Sequence, residues 1–315
     1  MKLPAVSIIM SVFNGEEYLH EAIDSVLNQT FENFEFIISN NGSLDDTKKI
    51  INSYQKIDKR IILFDHDNFG FSESLNQAIK ISKSNIIARI DADDVMEPNR
   101  LEEQFNFLQK NKDVTLLSCL ANYINSNGDK IGRTFSDLIN VETNRRYIYK
   151  NEPIGLLHPG AMFYREAFLK VGGYRKEFAP AEDIDLWNRF NDYGYWAVVQ
   201  QKVLMNYRMV KNSEIGQNFK KSRQKYEWLR ECIWLRRAGK NEISFEEFIE
   251  MKKALPLLTR LNSFRKNQAK YLYRKAGIEF GSRNIIFFIL NITGALILQP
   301  SYTIKKLINQ RIRIN

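Results

Sequence analysis

The chain has only two cysteines in 315 residues, Cys119 and Cys232. They lie far apart and without metal-ligand spacing, which excludes a disulfide scaffold and fits a reducing compartment. No Gly-x-Gly-x-x-Gly follows the first apolar segment, so a dinucleotide-binding fingerprint is excluded. There is no internal repeat and no low-complexity tract. No helix-turn-helix, zinc or RNA-binding signature is present, so nucleic acid is not an expected partner. The apolar run Ile285 to Leu298 falls short of the ~20 residues of a membrane span. Asn291, Thr293 and Gly294 interrupt it and Pro300 closes it. The N-terminus offers no signal peptide, because Val6 to Val12 is short and runs into the turn Phe13-Asn14-Gly15.

What is present supports a folded chain. With 44% apolar and 12% aromatic residues it can bury a sizeable core. The net charge of +9 is uneven. From Arg260 onward there are eleven Lys/Arg against the single acid Glu279, and the residues before Arg260 sum to −1. A basic end suggests a polyanionic partner. Phe264, Tyr271, Tyr273, Phe287 and Phe288 interleave with the basic residues, which favours an anionic membrane surface over nucleic acid. Ile285 to Leu298 then reads either as a segment lying in the membrane interface or as a helix covering the rest of the fold.

Strand and helix alternate through the first third. Val6 to Val12 reads as a buried strand. Tyr18, Leu19, Ala22, Ile23, Val26 and Leu27 share one helical face. Strands follow at 34–39, 60–65 and 86–90, with helices at 45–54, 72–82 and 98–111. This predicts an α/β fold with a mostly parallel sheet flanked by helices. From Val114 to Arg208 the pattern is less regular, with one clear helix over 184–192. Beyond residue 210 the chain reads as basic and helical.

The strand Ile86 to Ile90 ends in Asp91-Ala92-Asp93-Asp94. Carboxylates this close repel one another unless a cation sits among them. Hard oxygen ligands at a strand end suit Mg²⁺ or Mn²⁺, which commonly hold a substrate diphosphate. The pattern also satisfies the Asp-x-Asp-x-Thr/Val of haloacid-dehalogenase-type phosphotransferases, with Asp91 as nucleophile. That motif normally closes the first strand of its domain, whereas about ninety residues of α/β pattern precede it here. A non-enzymatic polyanion or membrane binder, driven by the basic end, is the other alternative.

Several motifs in one order resemble family 2 glycosyltransferases with the GT-A fold. They are Val6 to Asn14, the helix residues Glu16, Leu19, Ser25 and Gln29, and Ile37 to Ser43. Asp91 to Asp94 with Pro98, Arg100, Leu101 and Gln104 follows, then Glu182-Asp183 with Leu186-Trp187. The similarity covers Val6 to about Arg208. The resemblance implies a Rossmann-like GT-A domain over 1–210, with a nucleotide-sugar half at 1–112 and an acceptor-side half at 113–210. A basic, helical region at 211–315 would complete the chain, with membrane association as one of its two readings.

The resemblance also implies an inverting, metal-dependent transfer of sugar from a nucleotide diphosphate to a glycan acceptor in surface polysaccharide synthesis. A lipid-linked acceptor is the expected one. The setting would be cytoplasmic, on the inner face of the cell membrane. Asp183 would be the general base, with Glu182 its neighbour. Asp93 or Asp94 would reach the metal, while Asp91 or its neighbour reaches the nucleotide ribose; Asp-x-Asp and Asp-Asp overlap here, so the register stays open. Ser11, Phe13, Asn14, Glu16, Asn41 and Gly70 would line the donor, and Arg208 would contact phosphate. His158, on the acceptor side, would contact acceptor or diphosphate. Asn68, Ser74 and Asn76 accompany Gly70 in a family-like loop and helix start.

Two departures stand out. Many members carry an Asp pair where this chain has Asn40-Asn41, so UDP is the expected donor class while dTDP and GDP stay open. Many also carry a His shortly after the Arg, where this chain has Met209-Val210-Lys211.

Overall fold

The computed structural model describes residues 3–209, 219–281 and 284–311. Lys211 lies outside the described residues. The chain divides into two compact units, 1–123 with 133–208, and 124–132 with 209–315.

In the first unit the elements are β1 (Val6–Val12), α1 (Leu19–Leu27), β2 (Phe34–Asn41), α2 (Thr47–Ile57), β3 (Ile61–His66), α3 (Phe71–Ile81) and β4 (Ile86–Arg89). After them come β5 (Val95–Met96), α4 (Arg100–Lys110), β6 (Val114–Ile124) and α5 (Val141–Tyr149), while β7 (Lys130–Arg133) falls mostly in the second unit. The last are β8 (Met162–Tyr164), α6 (Arg165–Lys170), α7 (Glu182–Asp192) and β9 (Trp196–Arg208). The helix expected at 184–192 therefore starts two residues earlier and takes Glu182 and Asp183 into its first turn.

Every residue of β1 and of β2 is buried. That follows from an apolar strand covered on both faces, where alternation is lost. Ile8, Met10, Phe36 and Ile38 join one core cluster with Leu19, Ala22, Ile23 and Val26 of α1. Ile9, Ile37 and Ile87 join a second cluster with Leu75, Ala78 and Ile79 of α3 and with Leu186, Trp187 and Phe190 of α7. Successive strand residues thus feed opposite faces of one sheet.

The sheet runs β3-β2-β1-β4-β8-β6-β9-β5, with β7 completing nine strands. From β3 through β4 every pair is parallel. Beyond β4 the sheet is mixed, since β8 lies antiparallel to both β4 and β6, and β5 antiparallel to β9. The irregular stretch after Val114 marks this change. Antiparallel neighbours need no long helical crossover, so the strand–helix alternation lapses there. The carboxyl ends of β1, β2 and β4 lie at one edge of the parallel part, where open α/β sheets bind ligands.

The second unit contains α8 (Phe219–Arg237), α9 (Phe245–Ala254), α10 (Leu257–Gly281), α11 (Ile285–Leu298) and α12 (Pro300–Arg311). Helices α10 and α11 pack together through small residues. Ala269, Ala276 and Ala295 are buried, and a Cβ at Gly294 would lie 2.9 Å from Leu272 Cδ1. Within α11 only Asn291 and Ala295 are buried, and Ile286, Leu290 and Ile297 are 72%, 62% and 75% exposed. Among the described residues no helix is long and apolar enough to cross a membrane.

Candidate active site

Strand β4 ends on Arg89, and Asp91 to Asp94 follow it off the sheet edge. The two-residue strand β5 pairs with β9 in the register Val95↔Asn206 and Met96↔Met205, which delivers Arg208 to the carboxylates. The backbone N–H of Arg208 donates to Asp94 Oδ1 at 2.8 Å, and its Nε donates to the Asp93 carbonyl at 2.9 Å. Its Nη2 pairs with Glu21, and its guanidinium lies 4.3 Å from the Tyr18 ring centroid. Arg208 is 3% exposed. Arg208 thus clamps the carboxylate turn to Glu21 of α1.

The motif residues around this turn are also holders. Met96 N–H donates to Ser25 Oγ, Leu101 N–H to Gln29 Oε1, and Gln29 Nε2 to the Glu97 carbonyl. Arg100 and Gln104 reach the carbonyls of Ala161 and Gly160. Their spacing therefore carries position rather than chemistry, tying α1 and the His158 turn to the carboxylates.

The charges are crowded. Burial first, then Asp91, pushes Asp93 up to about 6. Burial, then Asp91 and Asp93, holds Asp94 well above the usual carboxylate range. Asp94 Oδ2 is buried without a hydrogen-bond partner among the described residues. Nor, among those residues, do three or more His, Cys, Asp or Glu side chains gather into a metal cage. Mg²⁺ needs only one or two protein carboxylates when diphosphate oxygens and water complete its shell. The orphaned Asp94 oxygen and crowded Asp93 therefore fit a hard divalent cation shared with a donor.

On the donor side, the first two strand ends are laced together. Asn14 adopts a φ of 49°, a left-handed conformation that Asn tolerates. Its Oδ1 accepts from Leu44 N–H at 2.8 Å, and Glu16 Oε2 accepts from Asp46 N–H at 2.8 Å. Both side chains cap the neighbouring turn. Phe13 is 48% exposed beside them. Ser11 is turned inward, its hydroxyl 2.7 Å from Ser74 Oγ in a buried chain continuing to Ser39 and His66. Asn41 Oδ1 accepts from Phe69 N–H at 2.9 Å, fixing the 68–70 loop. Gly70 has a φ of 83°, which favours glycine, although a Cβ there would meet no protein atom within 4 Å.

On the opposite side, Asp183 stands in the first turn of α7 and is half-buried. Burial pushes it up to about 6, with Arg89 opposing and Asp91 adding to the rise. Glu182 beside it is 6% exposed. His158 packs edge-on against Phe71, Tyr174 and Trp187, and its Nε2 is 2.7 Å from Tyr174 Oη. Burial, then the Arg89 charge, holds His158 well below the usual imidazole range. It is a neutral ring in an aromatic box.

Arg89, Glu21, Phe71 and Tyr174 carry no role in the motif reading. The sequence signal for Arg89 is its place inside an apolar strand just before three acids. Glu21, Phe71 and Tyr174 leave no comparable local mark.

The comparisons with known proteins agree with this geometry. The family model described as "Glycosyl transferase family 2" matches residues 7–172. A glycosyltransferase of Methanocaldococcus jannaschii is 32% identical over 228 residues, covering 71% of this chain and 77% of its own. The O-antigen biosynthesis glycosyltransferase WbnJ of Escherichia coli is 36% identical over 188 residues, covering 59% and 72%. Among solved structures, S. aureus TarS residues 1–349 in complex with UDP aligns with a TM-score of 0.56 at 14% identity, over 94% of this chain and 90% of that one. The mannosyltransferase PcManGT of Pyrobaculum calidifontis, in complex with GDP-Man and Mn²⁺, aligns with a TM-score of 0.56 at 15% identity, over 96% and 83%. The fold is GT-A, and a phosphotransferase reading of Asp91 gives way, since its strand is the fourth of the domain and the motif order belongs elsewhere. The chain belongs to glycosyl transferase family 2.

Proposed function

We propose that the chain transfers a sugar, with inversion, from a nucleotide diphosphate to a glycan acceptor carried on lipid at the inner membrane face. The observation that carries this reading is the crowded acidic turn after β4, where Asp91 is bonded to Arg89 and Asp94 Oδ2 is buried without a partner among the described residues. Asp183 stands half-buried in the first turn of α7. A base on one side and a donor-holding turn on the other suit in-line attack at an anomeric carbon.

In the transfer, the acceptor hydroxyl gives its proton to Asp183 as its oxygen bonds to the anomeric carbon. The bond from that carbon to the diphosphate oxygen breaks, and the nucleoside diphosphate leaves with the electron pair. A divalent cation held by Asp93 and Asp94 would supply Lewis-acid charge to the leaving oxygens. Arg208 keeps those carboxylates in place through its backbone N–H and Nε. The nucleotide lies over the ends of β1 and β2, beside the exposed Phe13. Asn41 uses its carbonyl on Phe69, so its amide N–H groups are what remain for a base. UDP-sugars stay the first donor class, with dTDP and GDP as alternatives. The bound UDP of TarS and bound GDP-Man of PcManGT support a fold compatible with either.

Surface polysaccharide synthesis is supported by the likeness to an O-antigen enzyme. Membrane docking is supported by the exposed apolar residues of α11 and by the basic C-terminal charge.

Calorimetric titration of UDP-, dTDP- and GDP-sugars, with and without Mn²⁺, tests the donor site. One nucleotide class should bind in a metal-dependent way, and Asp93→Ala should abolish that dependence. Failure of every nucleotide sugar to bind would sink the reading.

A further inference from the structure

Phe69 is a large apolar side chain left in the open at the carboxyl edge of the parallel strands. It is 50% exposed, in the loop between β3 and α3. The register pair Asn41↔His66 closes β2 and β3 at that edge, and Phe69 follows His66 by three residues. A single exposed aromatic is ordinary on a protein surface. This one is held more firmly than a surface ring needs to be.

The ring is backed by His66. Their centroids are 4.4 Å apart and their planes differ by 8°, a stacked pair. His66 is itself tied at both nitrogens, with Nδ1 2.5 Å from the Asp67 carbonyl and Nε2 2.8 Å from Ser39 Oγ. Ser39 Oγ lies 2.8 Å from Ser74 Oγ, so the backing ring is anchored to β2 and α3. Phe64 packs against the same imidazole, its centroid 4.8 Å away. The backbone of Phe69 is fixed as well, its N–H donating to Asn41 Oδ1 at 2.9 Å. One face of Phe69 is therefore covered, and its exposure lies on the other face and the edges. Beside it Gly70 leaves open space, since a Cβ there would meet no protein atom within 4 Å. An exposed aromatic that is already immobilised offers contact area at little further entropic cost.

Asn41 narrows what that face can meet. Its carbonyl oxygen is taken by Phe69, which leaves its amide N–H donors beside the same loop. A flat apolar face next to hydrogen-bond donors matches a planar heterocycle that carries acceptors. A lipid chain would strand the donors. Strands β1 and β3 flank β2, so Phe69 after β3 and the half-exposed Phe13 after β1 border one edge.

We propose that the open face of Phe69 stacks on the base of the donor nucleotide, with His66 as the ring that holds it there. The inference rests on the reading of the chain as a nucleotide-sugar transferase, and it adds a base contact after β3 to the one that Phe13 offers after β1.

The test is calorimetric titration of the full chain with UDP, dTDP and GDP, and with inorganic pyrophosphate, which has no base, each with Mg²⁺. Phe69 is half exposed, so its variants should fold. For the nucleotide that binds the wild type, Phe69→Ala and Phe69→Leu should each weaken affinity about tenfold or more, the loss typical of a base–aromatic stack. Phe69→Tyr should stay near the wild type. Pyrophosphate affinity should be the same throughout the series. Nucleotide affinity unchanged in Phe69→Ala, or kept by Phe69→Leu, would overturn the stacking role and leave the donor reading in place. Equal losses of nucleotide and pyrophosphate affinity would also overturn it, since the loop would then shape the diphosphate site instead. A wild-type chain that binds none of the three nucleotides would overturn both.

Discussion

The two units of this chain break opposite rules of burial. The first hides charge: Arg89, Arg100, Arg208, Asp94 and Asp185 are all nearly inaccessible. The second displays apolar groups: Leu258, Ile286 and Leu290 are 80%, 72% and 62% exposed. Ordinary domains do neither without cause. Buried charge is costly, and it is retained where a reaction needs fixed, poorly screened fields. Exposed apolar residues among lysines and arginines serve where another apolar phase lies beside anionic groups. The family assignment rests on the first unit, whereas the second unit carries the basic helices and the exposed apolar residues on which the proposed membrane docking rests.

Asp183→Asn probes the first unit hardest. It should lower kcat by about 10²–10⁴ while donor affinity, read by calorimetry, stays near wild type, because the base acts on the acceptor proton. A parallel fall in donor affinity would mean the two acidic centres are not separate.

Ile286→Ser, Leu290→Ser and Ile297→Ser together probe the second unit in the intact chain. Each side chain is already exposed, so stability should hardly move. Co-sedimentation with anionic phosphatidylserine vesicles should weaken by about 10²-fold, from the lost apolar insertion. Unchanged sedimentation would remove α11 from any membrane role.

The pH profile ties the first unit to its buried charge. In the proposed transfer Asp183 works as the carboxylate, and burial raises it to about 6. Transfer should be full above that pH and fall about tenfold per unit below it. An acid limb near 4 would show that burial does not tune this residue.

The smallest effect compares one glycine from each unit by thermal unfolding. Gly42 has a φ of 76°, and a Cβ there would lie 2.8 Å from Asn68 N. Gly42→Ala should cost about 1–3 kcal/mol. Gly294 is helical, and its Cβ would meet only the tip of Leu272. Gly294→Ala trades a helix-propensity gain of about 1 kcal/mol against that contact, so its net change should stay within about 1 kcal/mol of zero. Equal losses would mean α10 and α11 pack as rigidly as the sheet edge.

The legible part of the fold was its parallel half. Buried apolar runs and amphipathic helices repeat there at intervals that local periodicity records. The antiparallel half was less legible, because strands such as Met162–Tyr164 and Val95–Met96 are too short to show a period. Site residues divide the same way. Asp91, Asp93, Asp94 and Asp183 announce themselves as acids where strands or helices begin and end. Asn14, Glu16, Asn41 and Arg208 were legible as motif positions, but each also bonds a distant part of the chain, Leu44, Asp46, Phe69 and Glu21 in turn. No spacing rule reports a hydrogen bond between loops thirty residues apart.

The sequence by itself determined the α/β class, the carboxylate cluster, the family resemblance and the basic C-terminal end. Each depends on local pattern or on composition, which folding does not alter. Only the tertiary structure decided which charges are buried and what each is bonded to. The pairing of β5 with β9 joins residues more than 100 positions apart and turns Arg208 into a clamp. The ring box from Phe71 to Trp187 likewise encloses His158, with the buried Arg89 over the Phe71 ring. Burial and dielectric are properties of the packed whole, so the electrostatics of the site could be read only after the chain had closed around it.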